Sequence, residues 1–209
     1  MDHFLALLIG YLCGSIPFGL VLAKAAGKGD IRSIGSGNIG ATNVLRTGAK
    51  GLAAGTLLLD LLKGLVPVLL AAQMASAGGT MPEAAWGPEA AWGPVPLAAI
   101  GAVLGHCFPV WLNFKGGKGV ATNAGVAFGL AWQIGLAYAL VWIAVLAIVR
   151  ISSVAGMSAV CAAAIAAAVL GFESFIPVLA LIAVLIIWLH RANIGRLFRG
   201  EEPKVGSEK

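Results

Sequence analysis

The stretch GVATNAGVAFGLAWQIGLAYALVWIAVLAIVR, residues 119–150, carries no charge until its last residue, Arg150. Read as one helix it crosses an apolar layer once; read as two short helices it crosses and returns. The charges around it decide between the two. Lys24, Lys28, Arg32, Arg46 and Lys50 follow the first apolar run, Lys115 and Lys118 lie just before the stretch, and Arg191, Arg196, Arg199, Lys204 and Lys209 follow the last run. The gaps near 1–3, 76–94 and 171–174 hold Asp2, Glu83, Glu89 and Glu173 but no Lys or Arg. Basic loops stay on the cytoplasmic side of a bilayer. Lys118 and Arg150 therefore belong on one side, an even number of crossings separates them, and a hairpin of two short helices is expected.

The wider composition supports a membrane setting. The 209-residue chain is 59% hydrophobic and 11% charged, with apolar runs close to the roughly 20 residues that span a hydrocarbon layer. Irregular lipid-facing backbone would leave amides unpaired, so an alanine-, leucine- and glycine-rich chain is expected to be a helical bundle, not a β-barrel. The predicted fold is an all-α polytopic membrane protein, one domain over residues 1–209. Its seven transmembrane helices fall near 3–25, 52–76, 95–113, 119–132, 134–150, 154–171 and 174–190. Charge parity puts the N-terminus outside and the C-terminus in the cytoplasm. The first run lacks a basic n-region and is longer than a signal h-region, so it reads as a retained helix.

The same features exclude several functions. The net charge of +5 is spread over short loops at one face of the bundle, which argues against nucleic acid as a partner. Cys13, Cys107 and Cys161 are widely spaced in apolar surroundings, so neither a metal nor a redox site is expected. The tandem EAAWGPEAAWGP, residues 83–94, is too short for a repeat architecture, and Trp86 and Trp92 suit interfacial anchors.

Polar residues gather in three places: IRSIGSGNIGATNVLR (31–46), GHCFPVWLNFKGGKGVATN (105–123) and HRANIGRLFRGEEPK (190–204), with RISS (150–153) at the same level. The predicted topology starts the second, fourth and sixth helices at the cytoplasmic face, so their positively polarised N-termini point to one side. Glycines let amides approach a ligand, and lysines beside a helix N-terminus favour an anion such as phosphate. Lys115, Gly116, Gly117, Lys118 and Gly119 thus form a candidate phosphate cradle; the alternative is a flexible basic loop that anchors to lipid headgroups. Neither GSGNIG nor KGGKG is a nucleotide fingerprint, since no strand precedes them. Arg46 could equally be a snorkelling residue.

His190 and Asn193 share a face if the last span continues as a helix. A histidine there could act as base or donor, or merely cap a helix C-terminus. His106, inside the third span, reads as packing before catalysis. Asp60 and Lys63 are ionisable residues within the second span, where an i, i+3 ion pair supporting the site is expected. Ser15 and Pro17 in GSIPFG mark a bend or close packing in the first helix.

The strings GSIPFG, GSGNIGATNVLR, LGHCFPVW running into FKGGKGVAT, and HRANIGRL followed by GEEPK together resemble the bacterial integral-membrane acyl phosphate:glycerol-3-phosphate acyltransferases, the PlsY family. They occur in that family's order over nearly the whole chain. The resemblance implies a seven-helix enzyme of the bacterial inner membrane, N-terminus periplasmic and active site cytoplasmic. It would move a fatty acyl group from acyl phosphate to the 1-hydroxyl of glycerol 3-phosphate, releasing lysophosphatidic acid and inorganic phosphate. It also implies no cofactor, membrane lipid as surroundings and an upstream enzyme that forms acyl phosphate. Residue by residue, it places Ser36, His190 and Asn193 in catalysis, and Arg46, Asn38 and Asn43 of the first motif with the 115–119 loop of the second in substrate and phosphate binding. It adds the Ser152 and Ser153 pair near phosphate and Glu202 as a structural glutamate.

Acyl phosphate is already activated, so the task is to hold two phosphates, align a hydroxyl and stabilise an oxyanion. Arg46, Lys118, Ser152 and Ser153 are expected on glycerol phosphate, and the KGGKG amides on the acyl-phosphate headgroup. Ser36 either binds phosphate or carries a transient acyl group; it lacks a Gly-x-Ser-x-Gly elbow, which favours direct transfer. A transporter for an anionic solute, or a non-enzymatic phospholipid-binding protein, are the rival readings.

Overall fold

The computed structural model describes residues 2–77 and 91–206. Among these, all regular structure is helical. Trp86 and most of the tandem hexapeptide lie outside the described residues; Trp92 is half-exposed at the entry to the next helix.

The first apolar run is two helices, α1 (His3–Gly14) and α2 (Phe18–Ala25). Pro17 has no N–H to continue the ladder, so carbonyls at the break need other donors. Trp111 Nε1 donates to the Ser15 carbonyl at 2.7 Å and Lys63 Nζ to the Ile16 carbonyl at 2.7 Å. After a loop and the short α3 (Ala41–Leu45) come α4 (Lys50–Ala77) and α5 (Pro94–Cys107). The next four are α6 (Val120–Leu130), α7 (Trp132–Val149), α8 (Ser152–Val169) and α9 (Ile176–Leu189). The last is α10 (Arg191–Phe198).

Residues 119–150 are two helices, broken at Ala131, whose backbone is extended (φ −159°, ψ 133°). A Cβ on Gly135 would lie 2.3 Å from the Phe128 ring, which a continuous helix would hold a full two turns away. The second helix therefore folds back on the first. By length and apolarity five helical stretches suffice to cross a bilayer, and six if the bent α9–α10 pair counts as one. The 11-residue α6 rises only about 16 Å, half of a hydrocarbon core. The final span also differs from a straight continuation: it turns by 57° at His190, so His190 sits at the bend and Asn193 on a separate helix.

Lipid offers no hydrophobic drive for helix association, so close backbone contact through small residues must supply it. α1 and α5 use this fully. A Cβ on Gly10, Gly14, Gly101 or Gly105 would come within 2.0–2.2 Å of a carbonyl oxygen on the facing helix. Gly64 and Gly125 do the same between α4 and α6. Large apolar side chains point outward instead: Ile148, Val169, Phe4 and Val184 are all more than 65% exposed, as lipid-facing residues should be.

Candidate active site

The loop from Ile31 to Arg46 is organised by one buried carboxamide. Asn43 Nδ2 donates to the carbonyls of Ile31 (2.7 Å) and Asn38 (2.8 Å), while its Oδ1 accepts from the Ser36 amide and Arg46 Nη1, both at 3.2 Å. Asn43 thus shapes the loop and has no capacity left for a ligand, contrary to a phosphate-binding role. Gly35 adopts φ +55°, and a Cβ there would meet Arg46 Nη1 at 2.4 Å. That packing leads the Arg46 guanidinium across the loop while its side chain remains exposed. Asn38 Oδ1 accepts from the Gly40 amide at 3.0 Å. Ser36 is exposed, its hydroxyl 3.5 Å from Asn43 Oδ1.

The glycine loop departs from expectation in an instructive way. The Gly116 amide donates to the Cys107 carbonyl (3.1 Å) and the Gly117 amide to the His106 carbonyl (3.0 Å). These amides close the C-terminus of α5 and do not line an anion cradle. The first turn of α6 is the one with amides to spare: they have no intrahelical acceptor, no side chain caps the helix, and Gly119 at φ +85° starts it. Lys118 stands immediately before this positive end.

The Lys118 ammonium donates to Asn193 Oδ1. Asn193 Nδ2 donates in turn to Glu202 Oε1 at 2.5 Å. The same oxygen accepts from Ser153 Oγ at 2.6 Å, and Glu202 Oε2 accepts from Arg196 Nε at 2.7 Å. Burial by itself would raise the Glu202 carboxyl, but the bonds from Ser153, Asn193 and Arg196 outweigh it and hold the group below its usual range. The carboxylate is the hub joining α6, α8, α10 and the C-terminal tail. The tail is pinned again where the Val205 amide donates to the Arg150 carbonyl at 2.6 Å. Burial lowers the Lys118 ammonium to about 8, the nearby Arg196 and Arg46 cations adding to the effect and Glu202 opposing it.

Two roles change as a result. Asn193 has both ends of its carboxamide engaged, so it positions Lys118 and does not meet a reacting carbonyl. Ser153 is buried against Glu202, not turned to a phosphate; Ser152, half-buried at the first position of α8, is free of that tie. His190 is 3% exposed, and its Nδ1 lies 2.7 Å from the Ile186 carbonyl. A carbonyl only accepts, so the proton sits on Nδ1 and Nε2 carries the lone pair.

The three polar clusters meet around a cleft of about 290 Å³ lined by Asn38, Phe114, the Lys115–Lys118 segment and Trp188 with Arg191. One helical turn farther along the same two helices, α5 and α9, runs an apolar groove of about 200 Å³ between Ile100, Val103 and Leu104 on one side and Leu181, Ile182 and Leu185 on the other. Asp60 and Lys63 form an ion pair at 2.7 Å beneath the site. Sequence reasoning assigned no role to Arg196, although its i, i+3 spacing from Asn193 placed both on the face that meets Glu202.

Comparison with known proteins agrees with this geometry. The sequence profile described as glycerol-3-phosphate acyltransferase matches residues 4–200. A glycerol-3-phosphate acyltransferase of Erythrobacter litoralis is 64% identical over 208 residues, covering 100% of this chain and 98% of its own, and one of Mesorhizobium japonicum is 52% identical over 205 residues, covering 98% and 96%. Crystal structures of PlsY (YgiH), an integral membrane glycerol 3-phosphate acyltransferase, superpose with TM-scores of 0.86 for the glycerol 3-phosphate form and 0.83 for the lysophosphatidic acid form. Both are 36% identical and cover 98% of this chain, and 96% and 95% of their own. Matches over essentially its full length, on an all-helical apolar bundle with a lysine-lined cleft, show that this chain belongs to the glycerol-3-phosphate acyltransferase family of PlsY-type membrane proteins.

Proposed function

We propose that the protein transfers a fatty acyl group from acyl phosphate to the sn-1 hydroxyl of glycerol 3-phosphate. The observation that carries this reading is a cleft lined by Lys115, Lys118 and Arg191, with the Arg46 and Arg196 charges near Lys118, one helical turn from an apolar groove between the same two helices. A phosphate at one end and an acyl chain at the other is the shape of both acyl donor and product. The related PlsY structures in glycerol 3-phosphate and lysophosphatidic acid forms match the two ends of that reaction.

In this reading Lys118 and Arg46 bind the glycerol phosphate, with Ser152 beside them. The first turn of α6 and Lys115 receive the acyl-phosphate headgroup, and the chain lies along α5 and α9. The glycerol hydroxyl oxygen attacks the acyl carbonyl carbon, the carbon–oxygen bond to phosphate breaks, and inorganic phosphate leaves with the bonding pair. The hydroxyl proton goes to His190 Nε2 or to a substrate phosphate. Ser36 has no imidazole or carboxylate partner within hydrogen-bond reach among the described residues, which favours direct transfer over an acyl-enzyme.

The chain acts as one domain with seven crossings, α6 being the short one, the N-terminus periplasmic and the site at the cytoplasmic face of the inner membrane. The alternation of basic and acidic loops supports this orientation. An upstream enzyme that makes acyl phosphate is the implied partner. The test is acyl transfer by purified protein with labelled glycerol 3-phosphate and either palmitoyl phosphate or palmitoyl-CoA. Lysophosphatidic acid from palmitoyl phosphate alone is expected. Product only from palmitoyl-CoA would reject the donor; no product from either, with solute uptake into sealed vesicles, would favour the transporter.

A further inference from the structure

Asp60, Lys63 and His106 have side chains only 3%, 2% and 4% exposed, and acyl transfer as described uses none of them. They lie directly beneath the glycine loop. Lys63 Nζ contacts Asp60 Oδ1 at 2.7 Å and is anchored by its bond to the Ile16 carbonyl at the break between α1 and α2. His106 Nδ1 faces the same Asp60 oxygen at 3.9 Å, and neither of these two atoms has an aligned hydrogen bond. The Lys63 contact with that oxygen is thus a charge contact whose angle falls outside hydrogen-bond geometry. On the other edge of the imidazole, a Cβ at Gly117 would lie 1.9 Å from Nε2. The Gly117 amide is bonded to the carbonyl of that same histidine at 3.0 Å.

An apolar trio of equal volume would pack these helices without the cost of burying charge, so packing does not account for the set. Of the three, His106 makes direct contact with the loop. We infer that His106, packed beside the Asp60–Lys63 pair, is a positioning residue for acyl transfer: its ring is the floor that fixes Gly117 and thereby aims the Lys118 ammonium at the substrate phosphate. The inference rests on the reading that Lys118 binds that phosphate. A loop released from its floor would keep its charge but lose its aim, which weakens glycerol-phosphate binding and leaves the acyl groove untouched.

The experiment measures the KM for glycerol 3-phosphate and for palmitoyl phosphate in wild type, His106→Ala, His106→Asn, Lys118→Gln and the His106→Ala/Lys118→Gln double variant, each checked for a single symmetric elution peak. His106→Ala and His106→Asn are expected to raise the glycerol 3-phosphate KM about tenfold and change the donor KM less than about twofold. In the Lys118→Gln background the His106→Ala effect should shrink to less than about twofold, because the group being aimed is gone. Folded His106 variants with unchanged glycerol 3-phosphate KM, while Lys118→Gln raises it, overturn the positioning role and leave the phosphate reading standing. An unchanged KM in Lys118→Gln rejects the phosphate reading and this inference with it. Full additivity in the double variant, or failure of both His106 variants to fold, would make His106 a purely structural residue and overturn the proposal.

Discussion

The Lys118 ammonium is held by the carboxamide oxygen of Asn193, a residue 75 positions away in sequence, on the last helix. This bond joins the glycine loop to the C-terminal network and tethers the cation from the side of the last helix. Asn193→Ala removes the acceptor and leaves the ammonium free to wander, so catalytic efficiency should drop about tenfold or more, in line with loss of a charged hydrogen bond. Steady-state kinetics with a varied glycerol 3-phosphate concentration check it; efficiency within twofold of wild type would remove Asn193 from the positioning role.

Lys118 titrates near 8 because burial and neighbouring cations disfavour its charge. Below that value the ammonium is present to attract a phosphate; above it the amine is neutral. The KM for glycerol 3-phosphate should therefore rise as pH passes upward through about 8, or somewhat higher once bound phosphate favours the charge. Lys118→Arg, whose guanidinium keeps its proton throughout, should flatten that limb. A KM equally pH-dependent in both proteins would refute the assignment.

Glu202 gathers Ser153, Asn193 and Arg196 on one partly buried carboxylate. Glu202→Ala strands those donors and unpins the tail, and should cost about 2–4 kcal/mol. A melting curve in detergent reads this directly. Since the folded carboxyl lies below its ordinary range, its contribution is complete above the unfolded pKa and fades as pH falls through the folded one. Wild type should thus lose more stability on acidification than Glu202→Gln.

Between α1 and α5, Gly101 has no room for a side chain, a Cβ lying 2.2 Å from the Leu7 carbonyl oxygen. Gly101→Val should destabilise the bundle by about 3 kcal/mol or more. Gly55, inside α4, provides the control: a Cβ there meets only the Leu22 side chain at an ordinary 3.6 Å. Gly55→Ala should be neutral or stabilise by roughly 0.5–1 kcal/mol through helix propensity. Equal melting temperatures for the two variants would contradict the close-packed interface.

Among the described residues, Ser36 has Asn43 as its side-chain partner and no imidazole or carboxylate. With no base to activate it, rapid-quench mass spectrometry during turnover should find no acylated Ser36, and Ser36→Ala should retain a measurable rate. A stoichiometric acyl adduct would reverse that reading.

What the sequence determined by itself was whatever depends on local composition and periodicity. Apolar runs and the scarcity of Lys and Arg were enough for a helical membrane bundle, and charge parity alone separated residues 119–150 into two helices, which the break at Ala131 and the Gly135–Phe128 contact display. The clustering of Ser36, Arg46, the KGGKG loop, His190 and Asn193 was equally legible, because unusual polar residues stand out against an apolar background. The tertiary structure decided which polar atoms remain free to meet a substrate. Gly116 and Gly117 read as amide donors to phosphate but close the end of α5; Ser153, Asn43 and Asn193 read as ligand contacts but are engaged by the protein itself. The straight last span became a 57° bend that puts His190 at its corner. A hydrogen-bond partner 49 or 75 residues distant leaves no trace in spacing, since it is chosen by how the helices pack and not by the residues beside it in the chain.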